Sequence, residues 1–210
     1  MKKLLTLFAA CLISLSLRAE TKADIFNDQI AITWLGLDFS QLTFVGTATQ
    51  YHDAGTITSN DLRNKYFPGW NDLFLTEKDK YNVAGAVHRT EVSYATEITA
   101  KANAKIPEHD FFSTNENDFQ KLNEQKIGDL VKKYDFQGKT GIGLIFFVDG
   151  MSKSESKASV WVTFVDMKTK KVLLTQHETG KNGGFGFRNY WAKSFYNVLI
   201  NVKSDFKSWE

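Results

Sequence analysis

The sequence predicts an α/β domain with a mixed sheet that ends in a three-stranded antiparallel meander, with helices on both faces (an α/β/α sandwich). Three observations point to this fold class. Residues 142–148 form a continuous apolar run, two strand-like segments follow it, and amphipathic helical segments lie before and after this region. Because a strand that is apolar throughout is buried on both faces, helices are expected on both sides of its sheet.

In the N-terminal half, the sequence predicts one strand and a group of short helices. Residues 30–37 have the composition of a strand. The sequence from Ser59 to Val87 is helix-like, and the triplet Phe67-Pro68-Gly69 predicts a break that divides it into two or three short helices. Residues 91–100 alternate apolar and polar side chains and predict a strand, although their alanines leave a helix open.

Periodicity also locates the segments of the C-terminal half. They are a helix over 117–134 capped by Thr114 or Asn115, strands over 142–148, 158–165 and 171–177, and a long helix from Trp191 to Trp209. The pair Asp149-Gly150, directly after the first of these strands, is typical of a turn. We therefore expect three antiparallel strands joined by short connections.

The first nineteen residues have the pattern of a cleavable secretory signal. Lys2 and Lys3 precede an apolar run that ends in Leu17-Arg18-Ala19, and cleavage after Ala19 fits best. The run is shorter than the ~20 residues that cross a bilayer, so no transmembrane segment is expected in the mature chain. We expect a signal peptide at 1–19 and a single α/β domain at 20–210, exported to the periplasm.

A lipoprotein signal that ends at Cys11 is the alternative, and it would anchor the mature chain through a lipid. This alternative is less favoured, because the apolar stretch between Lys3 and the Phe8-Ala9-Ala10-Cys11 box is too short.

The charge of the mature chain argues against two classes of partner. Loss of Lys2, Lys3 and Arg18 leaves 23 basic and 24 acidic residues, a net charge of −1. A near-neutral surface without a basic cluster offers no electrostatic footprint for nucleic acid or for anionic lipid. Cys11 is the single cysteine and leaves with the signal, so the core alone must hold the mature domain together.

The order of elements resembles a family of periplasmic domains. The turn residues Asp166 and Thr169, with Val172 and Leu173 after them, are similar to the TolB N-terminal and curli-secretion lipoprotein type domain, also found in lipoprotein activators of penicillin-binding proteins. The segment from Trp161 to Asn201 resembles uncharacterised secreted proteins of Gram-negative bacteria more closely. The chain departs from the first group in its helical segment after Ser59 and its lack of a plausible lipobox. The resemblance implies a domain that contacts other envelope proteins.

Motifs for catalysis or metal binding are absent from the sequence. It contains neither Gly-x-Ser-x-Gly nor a productive Ser-x-x-Lys, and the mature chain has no cysteine nucleophile. The four histidines lack the spacing of zinc ligands, so no cofactor and no metal are expected; they are His52, His88, His109 and His177.

One catalytic alternative remains, an envelope hydrolase that uses carboxylates at strand ends. Asp38 and Asp149 each follow a predicted strand, and they lie side by side if those strands are parallel. The competing interpretation is local, with Asp38 in an Asx turn toward Ser40 and Asp149 in a turn. A shared cleft for the two carboxyl groups would distinguish these alternatives.

The most unusual segment is the glycine- and aromatic-rich stretch from Lys181 to Trp191, directly before the last helix. As a partner-binding surface, it offers Phe185, Phe187, Arg188 and Tyr190. As an anion site at a helix N-terminus, it offers Lys181, Gly183 and Gly184. A third interpretation is that the aromatic side chains fold back over the core. Because Phe187 is four residues before Trp191, it is expected in the core, and Phe185 is expected to be exposed.

These observations predict a non-catalytic binding or assembly module. The expected partner is another cell-envelope protein of unknown identity.

Overall fold

The computed structural model describes residues 19–46 and 57–210. The first 18 residues of the expected signal, with Cys11, and also His52 lie outside the described residues. The helices are α1 (Lys22–Phe26), α2 (Ser59–Asp61), α3 (Phe67–Thr76), α4 (Val83–Ala86), α5 (Glu97–Ala104), α6 (Glu124–Lys133) and α7 (Phe187–Asp205). The strands are β1 (Ile32–Asp38), β2 (Thr43–Val45), β3 (Ser93–Tyr94), β4 (Phe112–Ser113), β5 (Ile142–Ser152), β6 (Lys157–Asp166) and β7 (Lys171–Lys181). A π-helix (Leu62–Tyr66) joins α2 to α3, and 3-10 turns lie at Glu116–Asp118 and Phe206–Trp209.

The seven strands form one sheet with β5 at its centre. Strand β6 is antiparallel to β5 and occupies one of its edges from Ile142 to Ser152. On the other edge, β1 and then β2 lie one after the other, both parallel to β5. Strands β3 and β4 extend the sheet beyond β1 and β2, again in parallel, and β7 is antiparallel to β6.

The fold class predicted from the sequence has to be corrected, because the sheet is mostly parallel. That prediction placed a C-terminal antiparallel meander in a mixed sheet, with two further strands at 30–37 and 91–100. In the described chain, four of the six strand pairings are parallel. The missed strands β2 and β4 have three and two residues, too few to produce a period-2 pattern.

Two hydrophobic clusters lie on the two faces of the sheet. Leu144 and Phe146 of β5 belong to the first cluster, with side chains of α3, α4 and α7. Ile145 and Phe147 belong to the second cluster, with side chains of α5 and α6. Alternate residues of β5 therefore pack against different helices, as expected for a strand that is buried on both faces.

The pair Asp149-Gly150 is not a turn, in contrast to the prediction, but lies within β5 at a bulge. The Asp149 carboxylate accepts hydrogen bonds from the backbone N–H groups of Lys121 and Leu122 at 3.0 and 3.2 Å. Gly150 allows this approach, because a β-carbon there would overlap the carbonyl oxygen of Phe119. The pair therefore docks residues 119–122 against the centre of the sheet.

The same contact shortens the helix that was predicted over 117–134. Because the N–H groups of Lys121 and Leu122 bond to Asp149, they are not available to an α-helix. A 3-10 turn capped by Asn115 precedes this contact, and α6 starts after it, capped by Asn123.

The predicted strand over 91–100 is wrong except at Ser93 and Tyr94, since α5 follows them. Thr99 and Asn103 lie one turn apart on α5 and both reach the outer edge of β1. Asn103 accepts from the N–H of Phe39 at 2.8 Å, and Asn71 of α3 accepts from the N–H of Leu37 at 2.8 Å. These side chains provide the hydrogen bonds that a neighbouring strand would otherwise make.

The break predicted at Phe67-Pro68-Gly69 is also wrong. Pro68 is the second residue of α3, at the point where the π-helix passes into the α-helix. The π-helix carries the chain from α2 into α3, so the path is helical from Ser59 to Thr76.

Strand β7 is an edge strand, and in the described chain it pairs with β6 alone. Two amide side chains of α7 reach its backbone. Asn197 donates to the carbonyl oxygen of Lys181 at 2.7 Å, and Asn201 donates to that of Thr179 at 3.0 Å. Helix α7 is therefore fixed to the C-terminal end of this strand.

Candidate functional site

The loop between β7 and α7 is closed by backbone hydrogen bonds. The N–H of Asn182 donates to Ser156 at 3.1 Å, which ties the loop to the turn between β5 and β6. The N–H of Gly183 donates to the carbonyl oxygen of Tyr190 at 3.1 Å, and the N–H of Tyr190 donates to Gly186 at 2.9 Å. The loop therefore has a defined shape, although its composition suggested a flexible backbone.

Phe185 is displayed at the tip of this loop. It lies between Gly184 and Gly186, whose φ angles of +99° and +81° are strongly disfavoured for residues with a β-carbon. The Phe185 side chain is 85% exposed, as expected from the sequence. The glycines thus hold a large apolar side chain in water on an ordered loop.

Phe187 lies in the core, so the prediction that it belongs to a partner-binding surface is wrong. Its side chain is 2% exposed. Its ring lies 4.6 Å from the ring of Tyr66, 5.9 Å from that of Phe44 and 6.0 Å from that of Trp70, between ring centroids. It anchors the first turn of α7 to the first cluster.

Arg188 and Tyr190 contact other parts of the fold and Phe187 is buried, so the four predicted residues do not form one surface. The guanidinium of Arg188 reaches the carbonyl oxygen of Gly69 at 3.5 Å, and its backbone carbonyl accepts from the Trp70 indole at 3.0 Å. Tyr190 is half-buried, and the ammonium of Lys153 lies 4.1 Å from its ring centroid. Both residues contact neighbouring elements of the fold.

A cavity of about 380 Å³ lies beside Phe185, between the end of α3 and the start of α7. Its charged lining residues are Glu77, Lys80 and Lys193, and Glu77 forms a 3.4 Å ion pair with Lys80. The complete lining consists of Leu73, Glu77, Lys80, Tyr81, Gly183, Gly184, Phe185, Asn189, Ala192 and Lys193. No local pattern pointed to Leu73 or to the residues just after α3, because the fold brings them to the loop from more than a hundred residues away.

The residues of the predicted anion site have other contacts. The N–H of Gly183 bonds to Tyr190, and the carbonyl oxygen of Lys181 accepts from Asn197. Lys181 ends β7 opposite Lys157, whereas Gly184 lines the cavity beside Phe185. The glycines therefore shape the loop, and they do not direct a set of N–H groups at one point.

Asp38 and Asp149 lie on the neighbouring parallel strands β1 and β5, but their carboxylates have different partners. Asp38 lies on β1 beside Phe147 of β5, two residues before Asp149. Asp38 accepts from the N–H of Ser40 at 2.7 Å, which confirms the predicted Asx turn, and from the hydroxyl of Tyr134 at 2.6 Å. Asp38 lines a cavity of about 220 Å³ to which Asp149 does not contribute. The shared cleft required by the hydrolase alternative is therefore not found around Asp38.

Asp149 is part of a polar group that also includes Ser159, Trp161 and His177. The Trp161 indole donates to Asp149 at 3.4 Å, and Ser159 Oγ lies 2.8 Å from His177 Nε2. Burial raises the pKa of Asp149 and lowers that of His177. A Ser-His-Asp relay needs the carboxylate on the second ring nitrogen of the histidine, but Asp149 bonds to Trp161 and to backbone N–H groups.

A cavity of about 500 Å³ lies outside the edge of β1, between the π-helix, α3 and α5. Asn71 and Asn103 form part of its floor, and their amides bond to the β1 backbone. Arg63 lines this cavity and donates to the carbonyl oxygen of Ile106 at 3.3 Å.

The three described histidines lie apart and contact different elements. His88 Nε2 lies 2.9 Å from the carbonyl oxygen of Lys203, and His109 Nδ1 lies 2.8 Å from that of Pro107. Within residues 19–46 and 57–210, no three His, Cys, Asp or Glu side chains are grouped as metal ligands would be. In the same ranges, no helix has the length and hydropathy that crossing a membrane requires.

A comparison of the chain with protein-family models and with curated proteins found no match.

Proposed function

We propose that this protein is an exported, non-catalytic binding module that contacts another component of the cell envelope through the Phe185 loop. The observation that carries the proposal is the 85% exposure of Phe185 on a loop closed by hydrogen bonds. A preformed loop loses little conformational entropy when it binds, so more of the contact energy is kept as affinity. The secretory signal predicted at residues 1–19 supports the assignment to the cell envelope.

The cavity beside Phe185 defines the chemistry of the partner. Leu73 and Ala192 line it next to the exposed ring, together with polar and charged side chains. Lys80 and Lys193 border it, and Glu77 neutralises one of these charges. We therefore expect the partner to insert an aliphatic or aromatic side chain next to Phe185 and to place a carboxylate near Lys193.

A photo-crosslinking experiment tests this proposal in the envelope. A benzoylphenylalanine residue is introduced at position 185, and a control carries it at Ile200, which is 48% exposed on α7. We expect a discrete crosslinked product at position 185 and none at position 200. An excess of unlabelled wild-type protein should remove the product, whereas the same excess of Phe185→Ser protein should leave it.

Two outcomes contradict the proposal. One is equal crosslinking at both positions, which indicates non-specific apolar contact. The other is equal competition by wild-type and Phe185→Ser protein, which places the contact elsewhere on the surface.

A further inference from the structure

Asp166 is a buried carboxylate that is held by backbone N–H groups and by the side chain of Thr169. The residue is 1% exposed and lies at the end of β6. Its Oδ1 accepts from the N–H groups of Lys168 and Thr169 at 2.9 and 3.0 Å, within the turn to β7. Its Oδ2 accepts from the backbone nitrogen of Glu20 at 3.2 Å, 146 residues away in sequence. No lysine, arginine or histidine of the described chain pairs with it.

Glu20 is also the residue that the sequence predicts to become the N-terminus after export. We propose that Asp166 is the binding site for the α-ammonium group that cleavage after Ala19 creates on Glu20. Hydrolysis of the Ala19–Glu20 bond adds a water molecule, so that Ala19 leaves as a carboxylate and the Glu20 nitrogen gains hydrogen and becomes an ammonium. A neutral hydrogen bond to a buried carboxylate then becomes an ion pair, which is the preferred state of a buried charge.

The position of the Glu20 nitrogen is set by residues after it. Thr21 and Asp24 form a capping box at the start of α1, in which the Thr21 N–H donates to Asp24 at 2.7 Å. Ile25 of α1 is fully buried in the first cluster. Since these contacts all follow the expected cleavage point, removal of residues 1–19 leaves them intact.

Arg89 holds the other end of the same segment. Its guanidinium donates to the carbonyl oxygens of Ile25 and Asn27, each at 2.7 Å, and to that of Ile30 at 3.3 Å. The N-terminal segment is therefore fixed at both ends, and the Asp166 end is the one whose charge changes on cleavage. The inference rests on the export signal and is independent of the proposed contact at Phe185.

The experiment compares three N-termini on otherwise identical protein. One form begins at Glu20, one carries an Nα-acetyl group on Glu20, and one carries Ser-Ala before Glu20, where the natural sequence has Arg18-Ala19. The acetylated form keeps the N–H but loses the charge, so it isolates the ion pair from the hydrogen bond. The measurements are the unfolding equilibrium constant in urea at pH 6 and the NMR titration of the α-ammonium.

We expect the form that begins at Glu20 to have an unfolding constant about 5- to 10-fold lower than the other two forms. We also expect its α-ammonium to titrate about one pH unit higher than a free α-amino group near 7.7. In an Asp166→Asn background both differences should disappear. Other charged groups close in sequence to this site include Asp24 on α1 and Lys168 in the turn. Asp24 also holds Thr21, so the control is Asp28→Asn, which changes an exposed carboxylate that accepts from Gln29 and should preserve the differences.

Equal stability of the three forms, or an unshifted titration in the form that begins at Glu20, overturns the proposal. So does a shift that persists in Asp166→Asn. If Asp166→Asn fails to fold, the comparison of the free and acetylated termini on the natural sequence still tests the proposed ion pair.

Discussion

The hydroxyl of Tyr134 donates a 2.6 Å hydrogen bond to the buried carboxylate of Asp38. The bond joins α6's C-terminal end to the carboxyl end of β1 across the second cluster. Burial raises the pKa of Asp38 above 3.8, although hydrogen bonds from Ser40 and Tyr134 oppose this effect. Burial and the nearby Asp38 carboxylate raise the pKa of Tyr134 well above 10.

The first prediction is that Tyr134→Phe destabilises the protein in a pH-dependent manner. Because the folded-state pKa of Asp38 is raised, the folded state binds its proton more tightly, and the free energy of unfolding falls as pH rises from 3.8 through that pKa. Tyr134→Phe removes a donor to the ionised form and raises this pKa further. We expect a loss of roughly 1.5–3 kcal/mol at pH 8 and a smaller one near pH 3.

Urea unfolding of both proteins from pH 3 to pH 8 measures this difference. Tyr94→Phe is the matched control, because the Tyr94 hydroxyl makes no hydrogen bond within the described residues. Its effect should not vary over this range. A loss for Tyr134→Phe that is the same at every pH would show that the bond does not discriminate between the two forms of Asp38.

The second prediction is that two glycine-to-alanine substitutions change the free energy of unfolding in opposite directions. Gly150→Ala places a methyl group against the Phe119 backbone, so we expect a loss of at least about 2 kcal/mol. Gly128→Ala on α6 meets no atom within 4 Å and should gain up to about 1 kcal/mol through helix propensity. Hydrogen exchange should also become faster at Lys121 and Leu122 in Gly150→Ala. If both variants have wild-type stability, residues 119–122 do not dock on β5 as described.

The third prediction separates the roles of two phenylalanines of the same loop. Phe185→Ser should change the free energy of unfolding by about 0.5 kcal/mol or less, because its ring is in water. Phe187→Ser should cost at least about 3 kcal/mol, because it empties a buried aromatic site. Thermal and urea unfolding of the two variants provide the comparison. Similar losses in both would mean that Phe185 is also part of the core.

The fourth prediction concerns Trp161, which is half-buried on the second cluster. Full truncation of a buried tryptophan costs about 3–5 kcal/mol, so Trp161→Ala should cost roughly 2–3 kcal/mol. Trp161→Phe retains the packing but loses the indole N–H to Asp149, and it should cost less. Urea unfolding with fluorescence detection measures both. A loss below about 1 kcal/mol for Trp161→Ala would indicate that this face is open to solvent.

The sequence located the elements whose signal is local. The apolar runs at 142–148, 158–165 and 171–177 lie inside β5, β6 and β7, and the 3.6-residue period from Trp191 onward lies in α7 and the turn after it. Exposure of Phe185 and burial of Phe187 also followed from local spacing. These features depend on the periodic spacing of apolar side chains or on the spacing of one helical turn. Both can be recognised within a single segment.

The elements that were missed depend on contacts between distant segments. The start of α6 is set by Asp149, whose carboxylate binds the N–H groups of Lys121 and Leu122. The sequence near Lys121 contains no pattern that predicts this contact. Residues 97–104 are helical where Thr99 and Asn103 satisfy the edge of β1. The cavity beside Phe185 combines α3 with α7. Such pairings exist only in the folded chain, so local propensity does not predict them.

The amide side chains of α7 that bond to β7 have a consequence for self-association. An eleven-residue edge strand is a template on which a second chain can add a strand and begin an aggregate. Asn197 and Asn201 occupy two carbonyl oxygens that such a strand would need. Until α7 has formed, these two acceptors are open to a second chain. Formation of α7 therefore withdraws these two acceptors, at the C-terminal end of β7, from pairing with a second chain.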